Sequence, residues 1–143
     1  MNITFDVSGI PKGQPRPRAF ARAGKVRLYD NGNAEAWKGA IALAARPHRP
    51  EKPFEGPVYL EIHHVMPRPK AHFGTGKNAA QLRPDVPERH TCKPDLDNLL
   101  KAAQDALTQI GIWRDDDQVA ECFVTKSYGD FPGAKIVIRD LDL

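Results

Sequence analysis

Five aspartates in two short stretches are the residues of this chain best suited to chemistry: Asp95 and Asp97 just after Pro94, and Asp115, Asp116 and Asp117 in a row. A proline restricts the residue before it and sets up a helix start, so the first pair is expected in a first turn. There, unpaired backbone N–H groups and the helix dipole favour negative charge. Capping alone accounts for acids in that position. The same helix face then adds a cation, because at about 3.6 residues per turn Lys101 falls one turn beyond Asp97. Gln104, Asp105 and Thr108 continue this polar flank. Three consecutive acids repel one another in a dry site, and alone they read as a solvated turn. Taken with Asp95 and Asp97 they become a set of hard oxygen donors suited to Mg²⁺, which prefers carboxylates and water. Asn98 either orients a carboxylate or a metal-bound water, or is a plain exposed helix residue.

The elements that must position these groups are readable from periodicity. Residues 3–7 (ITFDV) alternate as a strand with Ile3, Phe5 and Val7 inward. Residues 9–25 form a basic Pro/Gly-rich loop, with a short strand at 26–29. Asn33 is placed to cap a helix through about Ala45, with Trp37, Ala40, Ile41 and Ala44 on one face and Pro47 ending it. Residues 57–66 have period two, putting Val58, Leu60, Ile62, His64 and Met66 on one side. Residues 67–93 have no usable period and read as a long exposed loop, a length that is uncommon and often functional. From Pro94, Leu96, Leu99, Leu100, Ala103, Ala106 and Leu107 recur at helical spacing. Ile112 and Trp113 anchor the chain after Gly111, and strands are expected at 118–127 and 134–140. This order predicts a single α+β domain spanning residues 1–143, a small mixed β-sheet with two main helices packed on one face.

Length and charge narrow the function. A chain of 143 residues has room for one core. No apolar run is long enough to span a bilayer, and the first residues lack a basic start followed by an apolar stretch. Two cysteines, Cys92 and Cys122, are too few for a disulfide scaffold, so reduced thiols in the cytoplasm are expected. The net charge of +3 conceals a segregation: residues 1–28 carry +5, 29–66 carry −1, 67–93 carry +4 and 94–143 carry −5. Two basic segments and one acidic segment suit a protein that binds a polyanion and brings carboxylates to one point on it. Solvated basic loops would give the same sums.

The ordered set Pro94-Asp95-Leu96-Asp97-Asn98-Leu99, Lys101, Asp105-Ala106-Leu107, Trp113, Asp115-Asp116 and Gln118-Val119 resembles the signature of the RusA family of Holliday junction resolvases, the crossover junction endodeoxyribonucleases. The basic segment from Gly9-Ile10-Pro11-Lys12 to Arg16-Pro17-Arg18 and the order of elements support the resemblance. It implies that Asp95, Asp97 and Asp116 bind metal and that Lys101 is catalytic. It also implies an α+β fold, Mg²⁺ as cofactor with Mn²⁺ as a substitute, a homodimer, four-way DNA junctions as substrate, a role in recombination and repair, and frequent coding by phages or prophages. Asp115 and Asp117 would then stand behind the metal ligands or in solvent, either able to exchange with Asp116. Two departures stand out: loop 67–93 is longer than in the best-known members, and Asp117 stands where a small residue is frequent.

Hydrolysing a phosphodiester needs an activated water, an in-line approach and charge stabilisation, which metal ions and a lysine can supply. Arg16, Arg18, Arg22, Lys25 and Arg27, with Arg68, Lys70, Lys77, Arg83 and Arg89, are the candidate DNA contacts. Through phosphates they would make binding steeply salt-dependent and carry little base sequence. Phe20 or Phe73 would insert between bases or pack locally. Two rivals remain: a non-catalytic nucleic-acid-binding protein, and a Mg²⁺-dependent hydrolase of a small phosphorylated molecule. Gly74-Thr75-Gly76-Lys77 lacks the Ser/Thr of a P-loop, and the five histidines have no zinc spacing. His64, on the apolar face of its strand, is expected inside, Cys122 at a strand packing position, and Trp37 and Trp113 in the core.

Overall fold

Alternation in Asn2–Ser8 makes the first strand, β1, in which Ile3, Phe5 and Val7 are buried and the residues between them exposed. The computed structural model describes residues 1–15, 18–22, 25–29 and 34–142, the segments 18–22 and 25–29 by backbone alone. Those two segments are β2 (Arg18–Arg22) and β3 (Lys25–Tyr29), which pair antiparallel as a separate ribbon. Part of the basic stretch expected as loop is therefore strand. Helix α1 (Glu35–Ala45) buries Trp37, Ile41 and Ala45 and passes at Pro47 into a single 3-10 turn, Arg46–His48. Asn33, expected to cap it, lies outside the described residues.

Strand β4 (Val58–Met66) shows unbroken alternation, with Val58, Leu60, Ile62, His64 and Met66 inward as expected. Helix α2 (Leu96–Gln109) buries Leu99, Ala102, Ala103, Ala106 and Leu107. It ends where Gly111 adopts φ +82° and the N–H groups of Gly111 and Ile112 reach back to the carbonyls of Thr108 and Leu107. This is a glycine-dependent helix stop. Strands β5 (Val119–Tyr128) and β6 (Gly133–Asp140) complete a sheet of order β1-β6-β4-β5. β4 and β5 run parallel and the other two pairings are antiparallel, so the sheet is mixed. The parallel pair needs a long crossover, and α2 is its helix. Both helices contribute to one core with Phe5, Trp37, Ile41, Leu60, Ile62, Leu107, Trp113, Ile136 and Ile138. This is the α+β arrangement expected, with both tryptophans and His64 inside.

One expectation needs correction and one is borne out with added detail. β5 does not alternate in burial, unlike β1 at the other edge of the sheet: Ala120 to Phe123 are exposed in succession, Cys122 among them. The segment 67–93 is largely exposed, yet it is held to the sheet. It contains 3-10 turns at Lys70–His72 and Gly76–Asn78 and a bridge between Phe73 and Leu82. Residues 88–90 lie along the second half of β5, with Tyr128 N–H donating to Glu88 O at 2.9 Å and Arg89 bridging Ser127. Among the described residues no helix is long and apolar enough to cross a membrane.

Candidate active site

Asp95 is the N-cap residue of α2, in extended conformation, and its side chain makes no capping hydrogen bond. Its carboxylate is half exposed and accepts from Lys93 Nζ at 3.3 Å. Asp97 follows in the first turn and is exposed. The segment entering the helix is tied down by Lys126 on β5, whose Nζ donates to the carbonyls of Cys92 at 2.7 Å and Pro94 at 2.8 Å. A second tie comes from residues 9–15: Gln14 N–H donates to Asn98 O at 2.9 Å. Gly13 permits that approach, since a Cβ there would stand 2.9 Å from the Asn98 Cβ and 3.0 Å from the Pro94 Cβ. In sequence this strap leads towards the basic ribbon.

The three consecutive aspartates separate by role. They open a one-turn 3-10 helix, Asp116–Gln118, that precedes β5. Asp115 caps it, its carboxylate accepting from Asp117 N–H while Gln118 Oε1 accepts from Asp115 N–H at 3.0 Å. The Gln118 amide then donates to the carbonyls of Phe54 and Gly56, fixing the turn to the body of the protein. Asp117 is exposed. Asp116 alone turns to α2, where Lys101 Nζ lies 3.2 Å from its Oδ2. Lys101 Nζ is also 3.1 Å from Asp105 Oδ1, one turn along the helix. The hydrogen bond to Asp105, then that to Asp116, raises the Lys101 pKa, and Lys101 holds the Asp116 carboxyl below the usual carboxylate range.

The structure therefore brings Asp116 to Lys101, with Asp95 and Asp97 on the first turn of the same helix. Among the described residues, no three His, Cys, Asp or Glu side chains are gathered as a metal cluster. The donor chemistry of Asp95, Asp97 and Asp116, three carboxylates of which the N-cap Asp95 makes no side-chain cap of α2, suits a hard divalent ion.

The candidate DNA contacts divide. Arg16 lies outside the described residues, as do the side chains of Arg18, Arg22, Lys25, Arg27 and Phe20. Arg68 stacks over the Tyr128 ring at 5.1 Å and donates to Pro87 O at 2.8 Å. Tyr128 is also edged by His72 and His90. Arg83 Nε donates to Phe73 O, and Phe73 is half-buried within the loop. Lys70 and Lys77 are exposed.

Two residues that periodicity did not single out support the site. Lys126 is a charged residue on the helix-facing side of β5, opposite His64 in the register. Lys38 is a buried lysine on α1 that reaches Asp105. A signal for Lys38 was present: it is the one charge within the buried stripe 34, 37, 38, 41 and 45.

A family model and several relatives match the chain. The family model described as Endodeoxyribonuclease RusA matches residues 8–139. A Bacillus subtilis (strain 168) relative named "Uncharacterized protein YqaN" is 37% identical over 97% of this chain and 96% of its own length. The "Crossover junction endodeoxyribonuclease RusA" of Escherichia coli (strain K12) is 54% identical over 41 residues, which is 29% of this chain and 32% of that protein. The same figures hold for the protein of that name from Shigella sonnei (strain Ss046).

Proposed function

The chain belongs to the RusA family of endodeoxyribonucleases, and from that premise we propose that it is a Mg²⁺-dependent endonuclease cutting Holliday junctions or related branched DNA, in recombination and repair. The observation that carries the reading is Lys101, held between Asp105 and Asp116 one turn beyond Asp97, on a helix whose N-cap carboxylate is not engaged in capping. A protein using these acids only to cap and turn would have Asp95 bonded to its own helix. In this reading Asp95, Asp97 and Asp116 hold Mg²⁺, for which Mn²⁺ substitutes, and Lys101 is the catalytic lysine. The ion, when bound, supplies Lewis acidity towards the scissile phosphate and the attacking water. Hydrolysis places the water's hydroxyl on phosphorus and its proton on the leaving oxygen. Lys101, an ammonium whose pKa is raised, neutralises charge building on the phosphoryl oxygens.

Phosphates are taken by the basic ribbon (Arg16, Arg18, Arg22, Lys25, Arg27) and by loop 67–93, in which Lys70 and Lys77 are exposed. The strap that docks Gln14 on Asn98 ties that ribbon to the helix carrying Asp97. Two cuts are needed to resolve a four-way junction, so two copies related by a two-fold axis are the working unit. Action on chromosomal or prophage DNA places the protein in the cytoplasm. The test compares synthetic four-way junction, fork, flap and linear duplex DNA with Mg²⁺ and with chelator. Cutting of branched substrates that chelator abolishes is expected. Equal cutting of linear duplex would remove structure selectivity, and no cutting of any substrate would remove the enzyme.

A further inference from the structure

Lys38 lies on the opposite side of Asp105 from the candidate catalytic lysine, and its surroundings are unusual for a helix lysine. Its side chain is only 10% exposed. The Nζ stands 3.1 Å from Gln14 Oε1, 3.6 Å from Glu35 Oε1 and 4.0 Å from Asp105 Oδ2. An ammonium taken out of water needs such acceptors, and they in turn are fixed by it. Asp105 divides its oxygens, Oδ2 towards Lys38 and Oδ1 to Lys101 at 3.1 Å. Gln14 is itself pinned to α2 through Asn98 O. A continuous polar chain thus runs from the strap through α1 and α2 to the turn before β5: Gln14, Lys38, Asp105, Lys101, Asp116.

Resting on the endonuclease reading, we propose that Lys38 is a positioning residue for Lys101: it fixes the Asp105 carboxylate so that Lys101 is presented to Asp116, and it locks the strap that leads into the basic ribbon. It acts through Asp105 and Gln14 and touches none of the proposed metal ligands. This couples docking of the DNA-binding ribbon to the geometry of the catalytic lysine.

The experiment measures junction cleavage with Mg²⁺ for Lys38→Met, Lys38→Arg, Asp105→Asn and the Lys38→Met/Asp105→Asn pair, with amide hydrogen exchange at Gln14. Lys38→Met is expected to lower kcat about tenfold or more while KM moves less than about threefold, as for lost orientation rather than lost binding. The paired variant is expected to be no slower than Asp105→Asn, since effects that act through one carboxylate do not multiply. Lys38→Arg restores kcat, and the Gln14 amide exchanges faster in Lys38→Met than in the unaltered protein. An unchanged kcat in Lys38→Met, or losses that multiply in the pair, overturns the proposal. If Lys38→Met does not fold, Asp105→Asn with an unaltered kcat overturns it instead, and a reduced kcat there with a competent Lys38→Arg supports it. Should the unaltered protein cut no branched DNA, the endonuclease reading fails separately. Gln14 exchange then decides whether Lys38 locks the strap, and an unchanged rate overturns that half.

Discussion

The Lys101 ammonium lies 3.2 Å from a carboxylate oxygen of Asp116, a residue fifteen positions further along the chain. The pair joins α2 to the turn before β5 and has a defined pH signature. Asp116 has a folded pKa below its unfolded one, so its contribution is present above the unfolded value and lost as pH falls through the folded one. Lys101 is raised, so its contribution is present below its unfolded value and lost only as pH rises through the folded one. Between about pH 5 and 9 the pair is constant. With the side chains 53% and 30% exposed, solvent limits it to under about 1 kcal/mol. Urea unfolding of Asp116→Asn should therefore show a small loss, flat over that range and vanishing in acid. A difference that grows steadily from pH 5 to 9 would contradict the assignment.

Asp95 tests capping against chemistry. Replacing a bonded N-cap usually costs about 1 kcal/mol. The Asp95 side chain makes no such bond. Asp95→Asn should leave urea stability nearly unchanged while abolishing Mg²⁺-dependent junction cleavage, and Asp97→Asn should also abolish cleavage, with junction affinity retained or improved by reduced repulsion. A large stability loss in Asp95→Asn with cleavage intact would return Asp95 to a structural role.

Much of this site is written locally in the chain, and what is not is long-range. The period-two runs of β1 and β4 and the apolar stripe of α2 declare their buried faces because each packs against the core, although Leu96 at the start of the α2 stripe stays exposed. Three identical aspartates gave no local reason to prefer one, yet the Asp115-to-Gln118 spacing carries the cap that turns Asp116 inward. Loop 67–93 has no period because Tyr128, 35 residues beyond position 93, organises it through ring contacts with Arg68, His72 and His90. Cys122 looked like a packing position because alternation in the sequence cannot reveal that residues 120–123 of β5 stay exposed in succession.

The loop cations should separate in the same way. Arg68 is engaged with Tyr128 and Pro87 O, whereas the side chains of Lys70 and Lys77 are exposed and make no hydrogen bond or ion pair with a described residue. Lys70→Ala and Lys77→Ala should each weaken junction binding and reduce the salt slope by about one, without changing the melting temperature. Arg68→Ala should increase proteolytic cleavage within 67–93. Equal effects of all three on salt slope, with no change in proteolysis, would show Arg68 to be a phosphate contact.

His64 should govern acid stability. It is 1% exposed, its Nδ1–H donates to Thr125 O at 3.0 Å, and its Nε2 is buried without a partner among the described residues. A proton added to Nε2 would have no acceptor and the charge no water, so burial pushes the pKa down to about 4. The unfolded chain takes up that proton near pH 6.5 and the folded one does not, so stability is complete above about 6.5 and is lost as pH falls towards 4. The shift corresponds to about 3 kcal/mol over that interval. The unaltered protein should thus lose about that much more unfolding free energy between pH 7 and 4 than His64→Gln, which has no group titrating there. Parallel pH profiles for the two proteins would mean that the ring is charged, or solvated, inside the fold.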